Sequence, residues 1–221
     1  MKNLLYAFLL LFLVCSLAPA QLSGNLTIGP SGSNYTSFKT ATVDLYLQGV
    51  SGPVTFVTRP GTYKESFYMF PAQGGSKTNS ITFFNPIGRG VKLEGAGTDT
   101  ITILGSQGAP CGWVTFDGFE FDNSPGALLY NNQQDSPEWE FRNCTFGPNF
   151  GKSGGNYAGT MYMNCSYQQS DSWNIHHCKF TLPAGSSSYG GSLLYAQGLG
   201  KWNIHHNEID LNGTWNAFSM W

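Results

Sequence analysis

Nearly the same phrase is written four times in the second half of this chain: Trp113-Val-Thr-Phe-Asp-Gly-Phe-Glu-Phe, Trp139-Glu-Phe-Arg-Asn-Cys-Thr-Phe, Trp173-Asn-Ile-His-His-Cys-Lys-Phe and Trp202-Asn-Ile-His-His-Asn-Glu-Ile. The tryptophans follow one another after 26, 34 and 29 residues. Self-similarity at a period of roughly 20 to 50 residues marks one supersecondary unit stacked on copies of itself. Aligned on their apolar positions, Phe116, Phe141, Ile175 and Ile204 coincide, as do Phe121, Phe146, Phe180 and Ile209. Gly118, Asn143, His177 and His206 fall between them, where a tight turn belongs. Further short runs, Leu128-Leu129-Tyr130, Met161-Tyr162-Met163 and Leu193-Leu194-Tyr195, place at least a second strand in each unit.

Strands this short do not make an isolated sheet. Stacked coil on coil, each pairs in parallel with its counterpart about 4.8 Å away. The fold class is therefore all-β, a parallel β-helix, and the resemblance given below implies a right-handed one. Val54-Thr-Phe-Val57 and Ile81-Thr-Phe-Phe-Asn85 read as the first coils, followed by Val91-Lys-Leu93 and Thr100-Ile-Thr-Ile103. A solenoid must cover its open end. Residues 36–48 supply a short N-terminal capping helix, with Thr36 or Ser37 as N-cap and an apolar stripe of Phe38, Ala41, Leu45 and the neighbouring Val43. Gly49 and Gly52-Pro53 end it. The division expected is a signal peptide over residues 1–20, a cap segment over 21–52 and coils over 53–221. Residues 216–221 read as one more copy of the Leu-Leu-Tyr strand without the strand that follows it elsewhere, so further coils are expected C-terminal to Trp221.

Lys2, the apolar run over residues 4–14 and Ala18-Pro19-Ala20 have the pattern of a secretory leader. The run is shorter than the roughly 20 apolar residues of a membrane span, and none follows, so the expected location is extracellular, at the cell surface or periplasmic. Val14 stands where a lipid-anchor signal at Cys15 wants a small residue. Charged residues are only 11% of the chain, against about a quarter in ordinary domains, which suits short strands joined by tight turns. With a net charge of -2 and no cluster of lysine or arginine, nucleic acid is excluded as a partner. Beyond the leader stand Cys111, Cys144, Cys165 and Cys178, with no Cys-x-x-Cys pair, so no structural zinc is expected. Cys144 and Cys178 share a repeat position within disulfide reach; a bond and two stacked thiols are both open.

The stretches Leu22-Ser-Gly-Asn-Leu-Thr-Ile-Gly29, Tyr35-Thr-Ser-Phe38, Gly49-Val-Ser-Gly-Pro-Val-Thr-Phe56 and Pro60-Gly-Thr-Tyr-Lys-Glu65 resemble the N-terminal segment of large secreted bacterial right-handed β-helix proteins. These belong to the pectin-lyase-like superfamily, and Asn-Ile-His-His-Asn and Phe-Arg-Asn-Cys-Thr-Phe are similar to its coil repeats. The resemblance covers about residues 22–221 and implies the fold; the superfamily's activities range over lyases, hydrolases, esterases, epimerases and adhesins. Pro60-Gly-Thr-Tyr-Lys-Glu65 is similar to an early motif of pectin methylesterases, and Gln134-Asp135 followed by Phe141-Arg-Asn-Cys144 to their Gln-Asp and next strand. Where those enzymes carry a nucleophilic aspartate before Phe, this chain has Asn149-Phe150-Gly151, and an amide cannot do that work. Neither paired polygalacturonase aspartates nor the lyases' calcium-binding cluster is recognisable, so no catalytic residue is assigned and calcium enters only through the resemblance.

The outward position after the first apolar residue of each unit stacks Asp117, Arg142, His176 and His205 in adjacent coils. Such a column suits an acidic sugar, Arg142 on its carboxylate and a histidine as base; it equally suits pairing of Asp117 with Arg142 while the histidines stack. His177 and His206 gather four imidazoles at the turn, yet no carboxylate in the repeat completes a coordination sphere, so no metal ligand is assigned. Trp139, Trp173 and Trp202 form a ladder; period two sets them on the face of the inward Phe or Ile, which favours packing over a sugar platform. Asn25, Asn143, Asn164 and Asn212 head glycosylation-type triplets. The expected function is an extracellular polysaccharide-interacting or cell-surface module whose partner is a glycan. The alternatives are a lyase or hydrolase of uronic-acid glycans with residues beyond Trp221, and a structural stalk or adhesin.

Overall fold

The structure, a computed structural model, describes residues 20–96, 103–105, 112–122, 129–134, 138–147, 159–165, 172–181, 192–197, 200–210 and 218–220. The segment expected to be a leader lies outside these residues but for Ala20, as do Cys111, Asp135, residues 149–151, Asn212 and Trp221.

The chain winds through three parallel sheets in turn. The first contains β1 (Leu22–Ile28), β2 (Val50–Thr58), β5 (Ile81–Phe84), β8 (Val114–Asp117), β11 (Trp139–Arg142), β14 (Ser172–His176) and β17 (Lys201–His205). The second contains β3 (Gly61–Lys64), β6 (Val91–Glu94), β9 (Glu120–Asp122), β12 (Thr145–Phe146), β15 (Lys179–Thr181) and β18 (Glu208–Asp210). The third contains β4 (Phe67–Met69), β7 (Ile103–Gly105), β10 (Leu129–Gln134), β13 (Gly159–Cys165), β16 (Ser192–Gln197) and β19 (Phe218–Met220). This is the parallel β-solenoid expected from the repeats. Each coil contributes three strands, the Leu-Leu-Tyr runs being the third sheet.

Pairing register explains why the repeats look alike. Phe56, Phe83, Phe116, Phe141, Ile175 and Ile204 stand in one inward column of the first sheet, and Phe121, Phe146, Phe180 and Ile209 in one of the second. A parallel ladder fixes like residues one strand spacing apart, a distance at which aromatic rings stack face to face with a small offset. Ring centroids are 4.8 Å apart for Phe83 and Phe116, 5.4 Å for Phe116 and Phe141, and 4.4 Å for Phe146 and Phe180. Rings of the two sheets meet edge to face across the interior, as Phe116 does with Phe121. These phenylalanines are buried and form the core.

The corner between first and second sheets is a left-handed position in coil after coil: φ is 83° at Gly118 and 54° at Asn143, His177 and His206. Histidine and asparagine tolerate this region better than other non-glycine residues. At Gly118 a side chain would also meet Asn85 O at 3.0 Å. A second left-handed position, Trp113 and Glu138 with φ of 57° and 53°, precedes β8 and β11. Val114, not Trp113, therefore pairs with Trp139, and the first of the four repeat phrases begins one residue early.

The N-terminal end is closed by α1 (Phe38–Gln48) and by β1, which pairs with β2. The Ser37 side chain accepts a bond from Thr40 N at 3.1 Å, the N-cap expected. The Glu65 carboxylate adds what sequence did not reveal, accepting from Phe38 N and Lys39 N at 3.0 Å each. Burial raises its pKa, and those two amide bonds oppose the rise. Phe38, Ala41 and Leu45 are buried, with Phe38 stacked on Phe67 at 5.5 Å. Val43 is a correction: it is 38% exposed and lies off the stripe. Phe116→Ala, which opens a hole in the middle of the stack, should lower unfolding free energy by about 3–5 kcal/mol in denaturant titration. Val43→Ala should change it by less than about 0.5 kcal/mol; equal losses would contradict the packing described.

Candidate functional site

The register of β8, β11, β14 and β17 sets Asp117, Arg142, His176 and His205 one above another on the outward side of the first sheet. The four residues are brought together, but two of them are occupied with each other. Arg142 Nε donates to Asp117 Oδ2 at 2.9 Å, and Asn143 Nδ2 donates to Asp117 Oδ1 at 2.8 Å. Asp117 is only 9% exposed, so its charge rests on these donors.

The hub of the network is Glu140, two residues before Arg142 and in the neighbouring outward column. Its Oε2 accepts from Thr115 Oγ1 at 3.1 Å and from Arg142 Nη1 at 3.2 Å. Its Oε1 accepts from Asn174 Nδ2 at 3.2 Å and lies 2.9 Å from His176 Nε2. Sequence reasoning gave Glu140 no role. The signal was there, since the alternation that turns Trp139 inward puts a carboxylate beside an arginine and one coil below an asparagine. Arg142, bonded to two carboxylates, has much of its charge compensated, which weakens it as an anchor for a ligand carboxylate.

His176 and His177 bring their Nδ1 atoms to 2.8 Å, and His205 and His206 repeat the contact at 2.6 Å. Coil to coil, His176 stacks on His205 with centroids 4.9 Å apart, and His177 on His206 at 5.1 Å. Desolvation first, then the neighbouring imidazoles of His176, His206 and His177, holds His205 below its ordinary pKa. Among the described residues no three His, Cys, Asp or Glu side chains group as metal ligands, and no helix is long and apolar enough to cross a membrane.

A groove of about 400 Å³ opens beside this column. Its floor is the adjacent outward column, Thr115, Glu140, Asn174 and Asn203, and its rim includes Trp113, Trp202, Lys77 and Lys201. None of Asp117, Arg142, His176 and His205 lines it. Trp139 and Trp173 are buried at 2% and 1% exposure and stack at 5.2 Å, so the ladder is packing with only Trp202 partly open. Among the described residues, Asn174 Oδ1 and Trp173 Nε1 are buried without a hydrogen-bond partner beside the groove floor.

Cys144 and Cys178 are buried free thiols; their Sγ atoms donate to Arg142 O at 3.2 Å and His176 O at 3.3 Å. Burial pushes the Cys144 thiol well above its ordinary pKa. In the next coil Asn207 takes their place, its amide accepting from Cys178 N and donating to Ile175 O.

Comparison with protein-family models, with curated proteins and with solved structures finds no match to the chain. A double-mutant cycle between Asp117→Ala and Arg142→Ala should return a coupling energy of about 1 kcal/mol, because the pair is short but partly exposed. A coupling indistinguishable from zero would mean that the column does not stabilise the stack.

Proposed function

We propose that the chain is an extracellular polysaccharide-interacting module whose glycan lies in the groove over β8, β11, β14 and β17. The observation that carries this reading is the groove's lining: indoles at the rim, and a hydroxyl, a carboxylate and two amides set one strand spacing apart along the floor. A polymer of repeating hydroxylated rings is matched by a surface that repeats its own donors and acceptors. The aromatic rim supplies apolar contact, and the amides and Glu140 supply direction. Lys77 and Lys201 balance Glu138 and Glu140 in the lining, so hydrogen bonding rather than net sign selects the glycan. Asn174 Oδ1 and Trp173 Nε1 gain partners if the groove opens slightly around a ligand hydroxyl.

Secretion belongs to this proposal and is supported by the leader pattern over residues 1–20. Membership of the pectin-lyase-like superfamily belongs to it as well; its support is the quoted motifs together with a parallel solenoid. The column of Asp117, Arg142, His176 and His205 then serves as a brace behind the groove, Arg142 and His176 holding Glu140 in place from one side.

Binding of the purified chain to a panel of polysaccharides, read by calorimetry beside an assay for released products, tests the proposal. Combined Asn174→Ala and Asn203→Ala should weaken binding about tenfold or more, as expected for losing two directed hydrogen bonds, with the chain still folded and its stability lowered by no more than about 1.5 kcal/mol through the lost Asn174–Glu140 bond. Unaltered affinity would remove the glycan from the groove. Product release from uronic-acid polymers would favour a lyase or hydrolase instead, and absence of both binding and release would favour a structural stalk.

A further inference from the structure

The chain has four histidines, and all of them lie in two His-His dipeptides at one corner of successive coils. Consecutive residues on a strand point to opposite faces, so their rings do not ordinarily meet. Here the second histidine of each dipeptide takes the left-handed turn, φ 54°, and the two Nδ1 atoms converge to 2.8 Å in one coil and 2.6 Å in the next. Two coils built alike make this a repeated hydrogen-bonded approach of the two Nδ1 atoms rather than an isolated contact.

The tautomer of one ring follows from its other neighbour. Glu140 Oε1 lies 2.9 Å from His176 Nε2, and a carboxylate only accepts, so in the neutral ring the proton sits on Nε2 and Nδ1 keeps its lone pair. A carboxylate behind an imidazole is also how metal-ligating histidines are oriented. The absence of a carboxylate within the repeat argued against a metal; Glu140, from the preceding coil, serves behind the ligand instead of on the ion.

We propose that each dipeptide is a bidentate Nδ1,Nδ1 site for Cu(II), with His176 and His177, backed by Glu140, the stronger of the two. Metal–nitrogen bonds of about 2.0–2.1 Å across a 2.8 Å separation give an angle near 85°, close to the right angle of a tetragonal ion and well short of the tetrahedral angle zinc adopts. Copper also heads the affinity order for such donors. Without metal, one N–H···N bond joins each pair; when the ion binds, the ring that donated through Nδ1 carries its proton on Nε2 instead, so both rings coordinate as neutral imidazoles with no net loss of a proton and no electron transferred. With no third side chain from the described residues on the ion, water fills its remaining positions.

The test is Cu(II) titration of the untagged full chain without glycan, followed by paramagnetic resonance, so that its outcome is independent of the groove. Expected are two ions per chain, a tetragonal spectrum with coupling to imidazole nitrogen, and zinc failing to displace copper at equal concentration. The combination of His177→Asn and His206→Asn keeps residues that the turn accepts at Asn143 and should abolish both sites while the protein stays folded. Glu140→Gln should weaken one site of the two by about 10- to 100-fold. Copper uptake that survives the asparagine variants, an absent nitrogen coupling, or displacement by equimolar zinc would overturn the assignment.

Discussion

Everything in this molecule depends on the parallel backbone ladder, which sets each residue directly over its counterpart in the next coil. At that spacing a column is a chemical choice made once and repeated. Aromatic residues repeat without penalty, since stacked rings attract, and the interior is built from such columns. Charges of one sign repeat only with a bridging counter-charge, as where Glu94 and Asp122 pair and Lys92 lies 3.3 Å from each. Asp117 is followed by Arg142, and on the second sheet Lys92 is followed by Glu120, 3.6 Å away, and Lys179 by Glu208 at 2.8 Å.

What the amino-acid string revealed was whatever repeats with the coil. The Phe and Ile columns, the left-handed corner and the shared position of Cys144 and Cys178 could be aligned by eye, and Ser37 and Gly49 bounded the helix by ordinary capping rules. What it concealed was whatever crosses between coils or breaks the period. Glu140 draws its partners from three coils, so no single repeat displays the hub. Trp113 occupies a left-handed position that mimics the ladder tryptophans while standing one residue out of register. Glu65 caps α1 from a point 27 residues away in sequence, which no local pattern signals.

Two adjacent columns on one face thus divide the labour. One neutralises itself, with Asp117 and Arg142 paired and the imidazoles stacked. The other, through Thr115, Asn174 and Asn203, keeps hydroxyl and amide groups at the floor of an open groove. Glu140 belongs to the second column and is held by the first, so the stability of the stack and the shape of the groove are linked through one carboxylate. The residues most conspicuous in the sequence, arginine and histidine, are those whose polar atoms are most fully engaged by their neighbours.

The corner between the first and second sheets has a further consequence. Two residues separate Asp117 from Glu120, Arg142 from Thr145, His176 from Lys179 and His205 from Glu208, whereas the interval from one coil to the next varies. In these four coils the corner therefore behaves as a fixed joint, whereas in the coil before them seven residues separate the matching Phe84 and Lys92. Because these four modules present the same joint and the same stacking edges to their neighbours, a whole coil among them can be copied or deleted by recombination in the variable segments while the remaining modules keep their register. Growth of such a chain is then an arithmetic of whole coils, and the groove lengthens or shortens by one rung at a time.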